Sequence, residues 1–318
     1  MVVVSEWLDL VGLDLMRQIP GELLYEPEWW AHEEILKHGI RNAQGLVIRN
    51  NTRVTQEVLD EAPLLKVIGR LGVGLENINI KACHNRQVQV VYARGANAIP
   101  VVEYVLGALL YGMRPWLDWA RQTKAGTWQR QLGGRELNGK TLGIIGLGDI
   151  GSRVARAART LGMKVEAFDP HLAPFHALIA DGTVSPVTNV EDLVERVDAL
   201  TIHAPLKPDT YHMLNQVTMA RFKTDAILIN TARGALIDEA ALLSLMEENR
   251  LGAVFLDVRE SEPPALPDPL TRFEKIVLTP HLAGLTYEAQ ARTTALVLED
   301  VTRVLAGRPP RSPVRFLP

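Results

Sequence analysis

The chain has a single cysteine, Cys83, in 318 residues. An intrachain disulfide is therefore impossible and a thiolate metal cluster is not expected; one cysteine fits a reducing, cytoplasmic setting. No apolar run approaches the roughly 18 residues that a membrane-spanning helix needs. The opening MVVVSEWLDL carries neither the basic region nor the long apolar core of a secretory signal. An excess of one charge is missing as well, with 34 Lys and Arg against 37 Asp and Glu, a formal net charge of −3. That balance gives no reason to expect nucleic acid as a partner. Low-complexity tracts and short repeats are also absent.

What the chain does have is buried-strand sequence. Its hydrophobic content of 47% is enough for two α/β domains with proper cores. Short Val/Ile/Leu-rich runs that do not alternate recur at 45–50, 66–72 and 88–95 in the first half. They return at 141–146, 164–169, 199–204, 226–232, 253–258 and 275–281. Strands buried on both faces of a parallel sheet read this way. Helical patterns separate them, which implies βαβ units. The expected fold is α/β, with two Rossmann-like, doubly wound parallel-sheet domains and a cleft between them.

Two seams divide the chain. Pro100, among small residues, precedes the long apolar helix VVEYVLGALLYGM. A second seam follows the last strand, near 284–288. The expected domains are thus 1–98 plus 287–318, and 99–286. The final helix, EAQARTTALVLEDVTRVLAG, should fold back on the first domain. The basic tail RPPRSPVRF is expected to be solvated.

Two stretches look like phosphate-binding loops. GRELNGKT (134–141) matches the Walker A pattern literally. That mechanism needs a strand, then the loop, then a helix, so that backbone N–H groups cradle phosphate. Here Lys140 and Thr141 lead into a strand, so the match is rejected. GLGDIG (146–151) has the right context, following that strand and opening the helix SRVARAARTLG. Gly146 permits the tight turn, Gly148 lets a pyrophosphate approach the backbone, and Gly151 packs helix against strand. Asp169 ends the next strand, where a carboxylate accepts both ribose hydroxyls and repels a 2′-phosphate. NAD is therefore expected over NADP. His171, close behind, leaves that preference open to relaxation.

Ligands of open parallel sheets bind at the carboxyl ends of the strands. Arg233 follows one strand, Asp257 ends the next with Glu262 just beyond, and His281 ends the last. Arg233 offers a planar fork for a carboxylate. His281 carries an imidazole, the side chain suited to exchanging a hydroxyl proton. Glu262 can hold the far imidazole nitrogen. Together they suit hydride transfer on a 2-hydroxy or 2-keto acid, and no metal is required. His203 also ends a strand on this edge, but its expected role is positional. It forms a wall near the cofactor with Ala204 and Pro205.

The motifs ELNGKTLGIIGLGDIG, HAPLKPDTYHMLN, INTARGALIDEAAL, LDVRESEP and LTPHLAGLT resemble, in order and spacing, the D-2-hydroxyacid dehydrogenase family. The resemblance runs from about residue 40 to 305. It implies NAD as cofactor and a homodimer held through an arm at about 100–136. It implies Arg233, Glu262 and His281 as catalytic residues. Cofactor contacts are implied at Asp149, Ile150, Asp169, Thr231, Ala232, Asp257, Ala283 and Gly284. The first half is similar to the phosphoglycerate and sulfolactate dehydrogenase branch. That implies substrate contacts at Arg49, Asn50, Thr52, Leu71, Gly72, Val73, Gly74 and Arg130, with Arg49 and Arg130 neutralising a second anion. Asn50 and Asn51 depart from that branch's Arg-Ser-x-Thr loop. Arg259 stands where the family has phenylalanine, and is expected to add charge at the site entrance or to face water. The short chain implies a form without a regulatory domain. A glyoxylate or hydroxypyruvate reductase, and a non-enzymatic NAD sensor of the corepressor type, remain the alternatives.

Overall fold

The computed structural model describes residues 1–314 apart from 9, 18, 20, 132, 174 and 175. It divides into two compact units, Met1–Asn97 with Leu285–Pro318, and Ala98–Gly284.

The first unit is built on five strands: β1 (Val2–Val4), β2 (Leu23–Tyr25), β3 (Gly45–Ile48), β4 (Val67–Arg70) and β5 (Gln89–Tyr92). All pair in parallel, in the order β2-β1-β3-β4-β5. The central strands β3 and β4 are buried at every position, as a sheet covered on both faces requires. The helix Tyr287–Leu305 packs Val297 and Val301 onto β4 within one of the unit's two apolar clusters. β1 and β2 escaped the sequence reading, because strands of three residues are too short to show a period.

The basic tail keeps Arg308 and Arg311 exposed, as expected, but its backbone from 311 to 314 is tied to the first unit. Buried Asp300 accepts the backbone N–H groups of Arg311 and Ser312 at 2.6 and 2.7 Å. Pro313 then forms an antiparallel bridge with Val91, and the Val314 N–H donates to Val90 O at 2.8 Å. Arg315 and Phe316 lie outside the described residues.

The second unit holds seven parallel strands: β6 (Thr141–Ile145), β7 (Lys164–Phe168), β8 (Ser185–Pro186), β9 (Ala199–Ile202), β10 (Ala226–Asn230), β11 (Leu251–Leu256) and β12 (Ile276–Leu278). Their order is β12-β11-β10-β9-β6-β7-β8. The order reverses between β6 and β9, which lead into the glycine turn and His203 respectively. Apolar clusters lie on both faces of the sheet. The helix Ala98–Met113 covers one of them with Val101, Val105, Leu109 and Met113. The two-residue β8, with its proline, is an edge strand that was not expected. Among the described residues no helix is long and apolar enough to cross a membrane.

Candidate active site

The glycine turn joins β6 to the helix Asp149–Thr160. Gly146 sits at φ +90°, and a Cβ there would come within 2.7 Å of His203 O. At Gly151 a Cβ would meet Gly146 O at 2.0 Å, so helix and turn touch only because no side chain intervenes. Around Gly148 a Cβ would meet nothing within 4 Å. Gly148 caps the helix without a side-chain bond, leaving first-turn N–H groups for an anion. Asp169, at the end of β7, accepts Leu147 N–H through Oδ2 and His171 N–H through Oδ1, both at 2.9 Å. The acid is thereby fixed beside the turn. These residues fit a dinucleotide. Thr231, just after β10, adds a buried hydroxyl oxygen that has no hydrogen-bond partner among the described residues. An oxygen of that kind is costly unless something bonds to it.

His281 follows β12 with φ +54°, a backbone region uncommon for a residue with a Cβ. Its Nδ1 lies 2.8 Å from Glu262 Oε2, and both side chains are about two-fifths exposed, at 43% and 40%. A carboxylate partner only accepts, so Nδ1 carries the hydrogen.

The unusual backbone of His281 is held by Asp257. That residue is 1% exposed. Its Oδ1 accepts Thr279 Oγ1–H at 2.6 Å and Leu282 N–H at 2.8 Å, and its Oδ2 accepts Ala283 N–H at 2.8 Å. The backbone adds His281 N–H to Asp257 O at 2.8 Å. Asp257 was expected to contact the cofactor. The structure instead turns its carboxylate inward to hold the 279–283 loop. Ala283 likewise points into the core, at 4% exposure, with its N–H taken by Asp257.

Arg233 follows β10 and is half-buried, with Nη1 donating to Ala232 O at 2.6 Å. Asn230, fully buried, clips this turn. Its Nδ2 donates to Arg233 O at 2.8 Å and its Oδ1 accepts Ala232 N–H at 3.0 Å. The sequence reading missed Asn230, whose only signal was an amide ending an apolar strand.

His203 is half-buried, and its Nε2 lies 3.1 Å from the hydroxyl of Thr201. Desolvation pushes its pKa down to about 3, so the ring stays neutral and suits a wall with half-buried Ala204 and exposed Pro205. Among the described residues, His212, Asp238 and Glu260 bring one ligating atom each within 4.8 Å of one another. His212 Nε2 lies 2.5 Å from Glu260 Oε1.

Arg259 departs from expectation. Its side chain is 9% exposed and does not face water. Nε and Nη2 donate to the two oxygens of Glu239 at 2.8 and 2.9 Å. Nη1 and Nη2 donate to Asp268 at 2.5 and 3.1 Å. These carboxylates, Glu239 foremost, hold the guanidinium well above its ordinary range.

In the first unit, the loop after β3 wraps around an acid the sequence reading did not single out. Glu6, 4% exposed, accepts the N–H groups of Arg49, Asn51 and Thr52 at 2.8, 3.0 and 2.9 Å. Thr52 is fully buried with its hydroxyl 2.8 Å from that of Ser5, so it is no substrate contact. Leu71 is a core residue, and its carbonyl accepts Arg70 Nη1 at 2.8 Å. Asn50 Oδ1 accepts Arg70 Nη2 at 2.7 Å. Arg49 lies 5.6 Å over the Trp7 ring. Gly72, Val73 and Gly74 stay at least partly exposed. Arg130, in the second unit, is exposed in the segment after the helix Trp116–Lys124.

The fold and the glycine turn define a dinucleotide-binding α/β protein with a histidine–carboxylate pair at the strand ends. Comparison makes this more specific. The model for the D-isomer specific 2-hydroxyacid dehydrogenase NAD binding domain matches residues 106–283, over half the chain. The chain therefore belongs to the D-isomer specific 2-hydroxyacid dehydrogenase family. It is 40% identical over 276 residues to D-3-phosphoglycerate dehydrogenase of Methanocaldococcus jannaschii, covering 86% of this chain and 52% of that one. It thus spans about half the length of that relative. It is 39% identical over 266 residues to (S)-sulfolactate dehydrogenase of Chromohalobacter salexigens, covering 83% and 85%. The solved TT0316 protein of Thermus thermophilus superposes with a TM-score of 0.90 at 30% identity over 99% of each chain.

Proposed function

We propose that the chain interconverts a 2-hydroxy acid and its 2-keto acid with NAD. One observation carries the reading, the 2.8 Å contact of His281 Nδ1 with Glu262 Oε2. It lies on the sheet edge that also holds Arg233 and the glycine turn. Glu262 fixes the ring with Nδ1 as donor, which leaves Nε2 to exchange a proton with the substrate oxygen. Oxidation needs that nitrogen unprotonated at the start, and reduction needs it protonated. Arg233 holds the substrate carboxylate through its planar fork. Gly146, Gly148, Asp149, Ile150, Gly151, Asp169, Thr231, Ala232 and Gly284 make up the cofactor side. NAD, when bound, accepts or supplies the hydride at C2 of the substrate.

The proposed substrate has a second anionic group, the feature common to the substrates named in the two curated relatives. Arg49 and Arg130 are the proposed side chains for it, and Val73 and Gly74 offer backbone N–H groups to the carboxylate, the Gly72 N–H being already given to Arg70 O at 2.9 Å. A reductase of small monoanionic keto acids is the second reading, and the Glu6 arrangement favours it. The N–H groups of Arg49, Asn51 and Thr52 already hold an internal carboxylate, so that loop's backbone has less to offer a distal anion. NADH oxidation against glyoxylate, pyruvate, hydroxypyruvate, 3-phosphohydroxypyruvate and sulfopyruvate decides. Preference for a dianion that Arg49→Ala abolishes supports the first reading, and equal use of monoanions the second. Tight NADH binding without turnover moves the chain to the NAD-sensor class.

A homodimer through the 100–136 segment is proposed as well. Trp116, Leu117 and Trp128 there are 44%, 57% and 79% exposed, more apolar surface than a free helix and loop usually carry. A monomer in equilibrium sedimentation would remove that proposal. The proposed location is the cytoplasm, in keeping with the single buried thiol of Cys83.

A further inference from the structure

Residues 257–262 join the Arg233 turn to the His281 loop. Asp257 holds the His281 loop. Gly234, next to Arg233, lies so close to Arg259 that a Cβ would meet the Arg259 carbonyl carbon at 1.9 Å. Arg259 N–H donates to Glu262 Oε1 at 3.0 Å, while the other oxygen of Glu262 takes His281. The main chain of Arg259 is thus shared between the Arg233 turn and the histidine's carboxylate.

The side chain decides where that main chain sits. Its fork is bound on one side to Glu239, at the first turn of the helix Glu239–Glu247. On the other side it is bound to Asp268, which is itself fixed by Leu270 N–H at 3.1 Å. The neighbouring residue repeats the tie. Glu260 N–H donates to Glu239 Oε1 at 3.0 Å, and Glu260 Oε1 accepts the Glu239 N–H at 3.3 Å. A guanidinium forked between two carboxylates is fixed in orientation as well as position.

We propose that Arg259 is a positioning residue, whose buried fork between Glu239 and Asp268 sets the Glu262 carboxylate and through it the proton-bearing ring of His281. The inference rests on the dehydrogenase reading for its kinetic consequence, but not for its structural one. It differs from a purely structural role in one respect: the effect passes through Glu262.

The test is a double-mutant comparison of Arg259→Met and Arg259→Lys, each in the wild-type and the Glu262→Gln background. Three quantities are read: kcat for keto-acid reduction, KM for NADH, and the 15N signals of the His281 ring. Arg259→Met is expected to lower kcat roughly 10- to 100-fold, as displacements of a reacting group by about an ångström do, with KM for NADH within twofold. The His281 ring should pass from one Nδ1–H tautomer to a mixture. Arg259→Lys should lie between, because it keeps a charge but loses the fork. In the Glu262→Gln background, Arg259→Met should cost less than twofold. Equal costs in the two backgrounds, or an unchanged tautomer in Arg259→Met, overturn the proposal. Should Arg259→Met fail to fold, Arg259→Lys carries the same comparison. If the wild type reduces none of the keto acids, the dehydrogenase reading fails while the tautomer measurement still decides the positioning.

Discussion

Replacing Asp257 by asparagine should cost both stability and turnover, and the structure sets the scale. The carboxylate accepts three hydrogen bonds at 2.6 to 2.8 Å while 1% exposed. An amide keeps one oxygen, enough for Thr279 and Leu282 on the Oδ1 side. On the other side its NH2 would face the Ala283 N–H, donor against donor. Bonds to a charged acceptor contribute about 1.5–3 kcal/mol each, and a buried orphaned donor costs about 1–3 kcal/mol. Losing one bond, weakening two and stranding Ala283 N–H together predict a loss of about 3–5 kcal/mol. For a unit of this size that lowers Tm by roughly 6–20 °C. The kinetic cost follows from His281. Its left-handed backbone at φ +54° has little reason to persist once the loop is released. Drift of its ring by about an ångström predicts a fall in kcat near 100-fold. Differential scanning calorimetry and steady-state NADH oxidation measure the two effects. A variant within 1 °C and twofold of wild type would refute the argument that Asp257 holds this loop.

Three further outcomes are expected. If His281 carries the exchanged proton, oxidation should quicken as pH rises and reduction as pH falls; the same trend in both directions would remove it from that role. Asp169→Ala should raise NADPH use relative to NADH at least tenfold, measured as kcat/KM, because a carboxylate that repels a 2′-phosphate is gone. Acid stability should depend on Asp268, whose carboxyl the Arg259 guanidinium holds below its ordinary value of 3.8. A depressed folded pKa contributes stability that is present above the ordinary value and is lost as pH falls through the folded one. Urea titrations from pH 6 downward should therefore show a pH slope below about pH 5 that Asp268→Asn flattens, and an unchanged slope would count against the pair.

Legibility in the sequence followed the range of the interactions. Strands such as β9 and β10 are buried on both faces, so their runs of Leu and Ile announced them. The turn at Gly146 depends on residues within a few positions, and it too could be read locally. His281 and Glu262 were found because strand ends in a parallel sheet converge on one edge. What escaped depends on long-range closure. Glu6 holds amides 43 to 46 positions away, and nothing in SEWLDL hints at that. Arg259 offered two readings, both of them solvent-facing, because its acids lie 20 residues before and 9 after it. Asp257 was recognised as part of the site, but which way its carboxylate turned could only come from the folded loop.

The segment that ends the described chain has a bearing on how copies of the protein coexist. β5 closes one side of the first sheet, and an outer strand displays unsatisfied amides and carbonyls that recruit strands from other molecules. Pro313 and Val314 lay antiparallel backbone across Val90 and Val91, while Pro313 itself presents no N–H outward. The chain thus shields its own sticky margin. A strand from another molecule would have to displace that backbone, which two amides bound to Asp300 hold in place, before it could pair with β5.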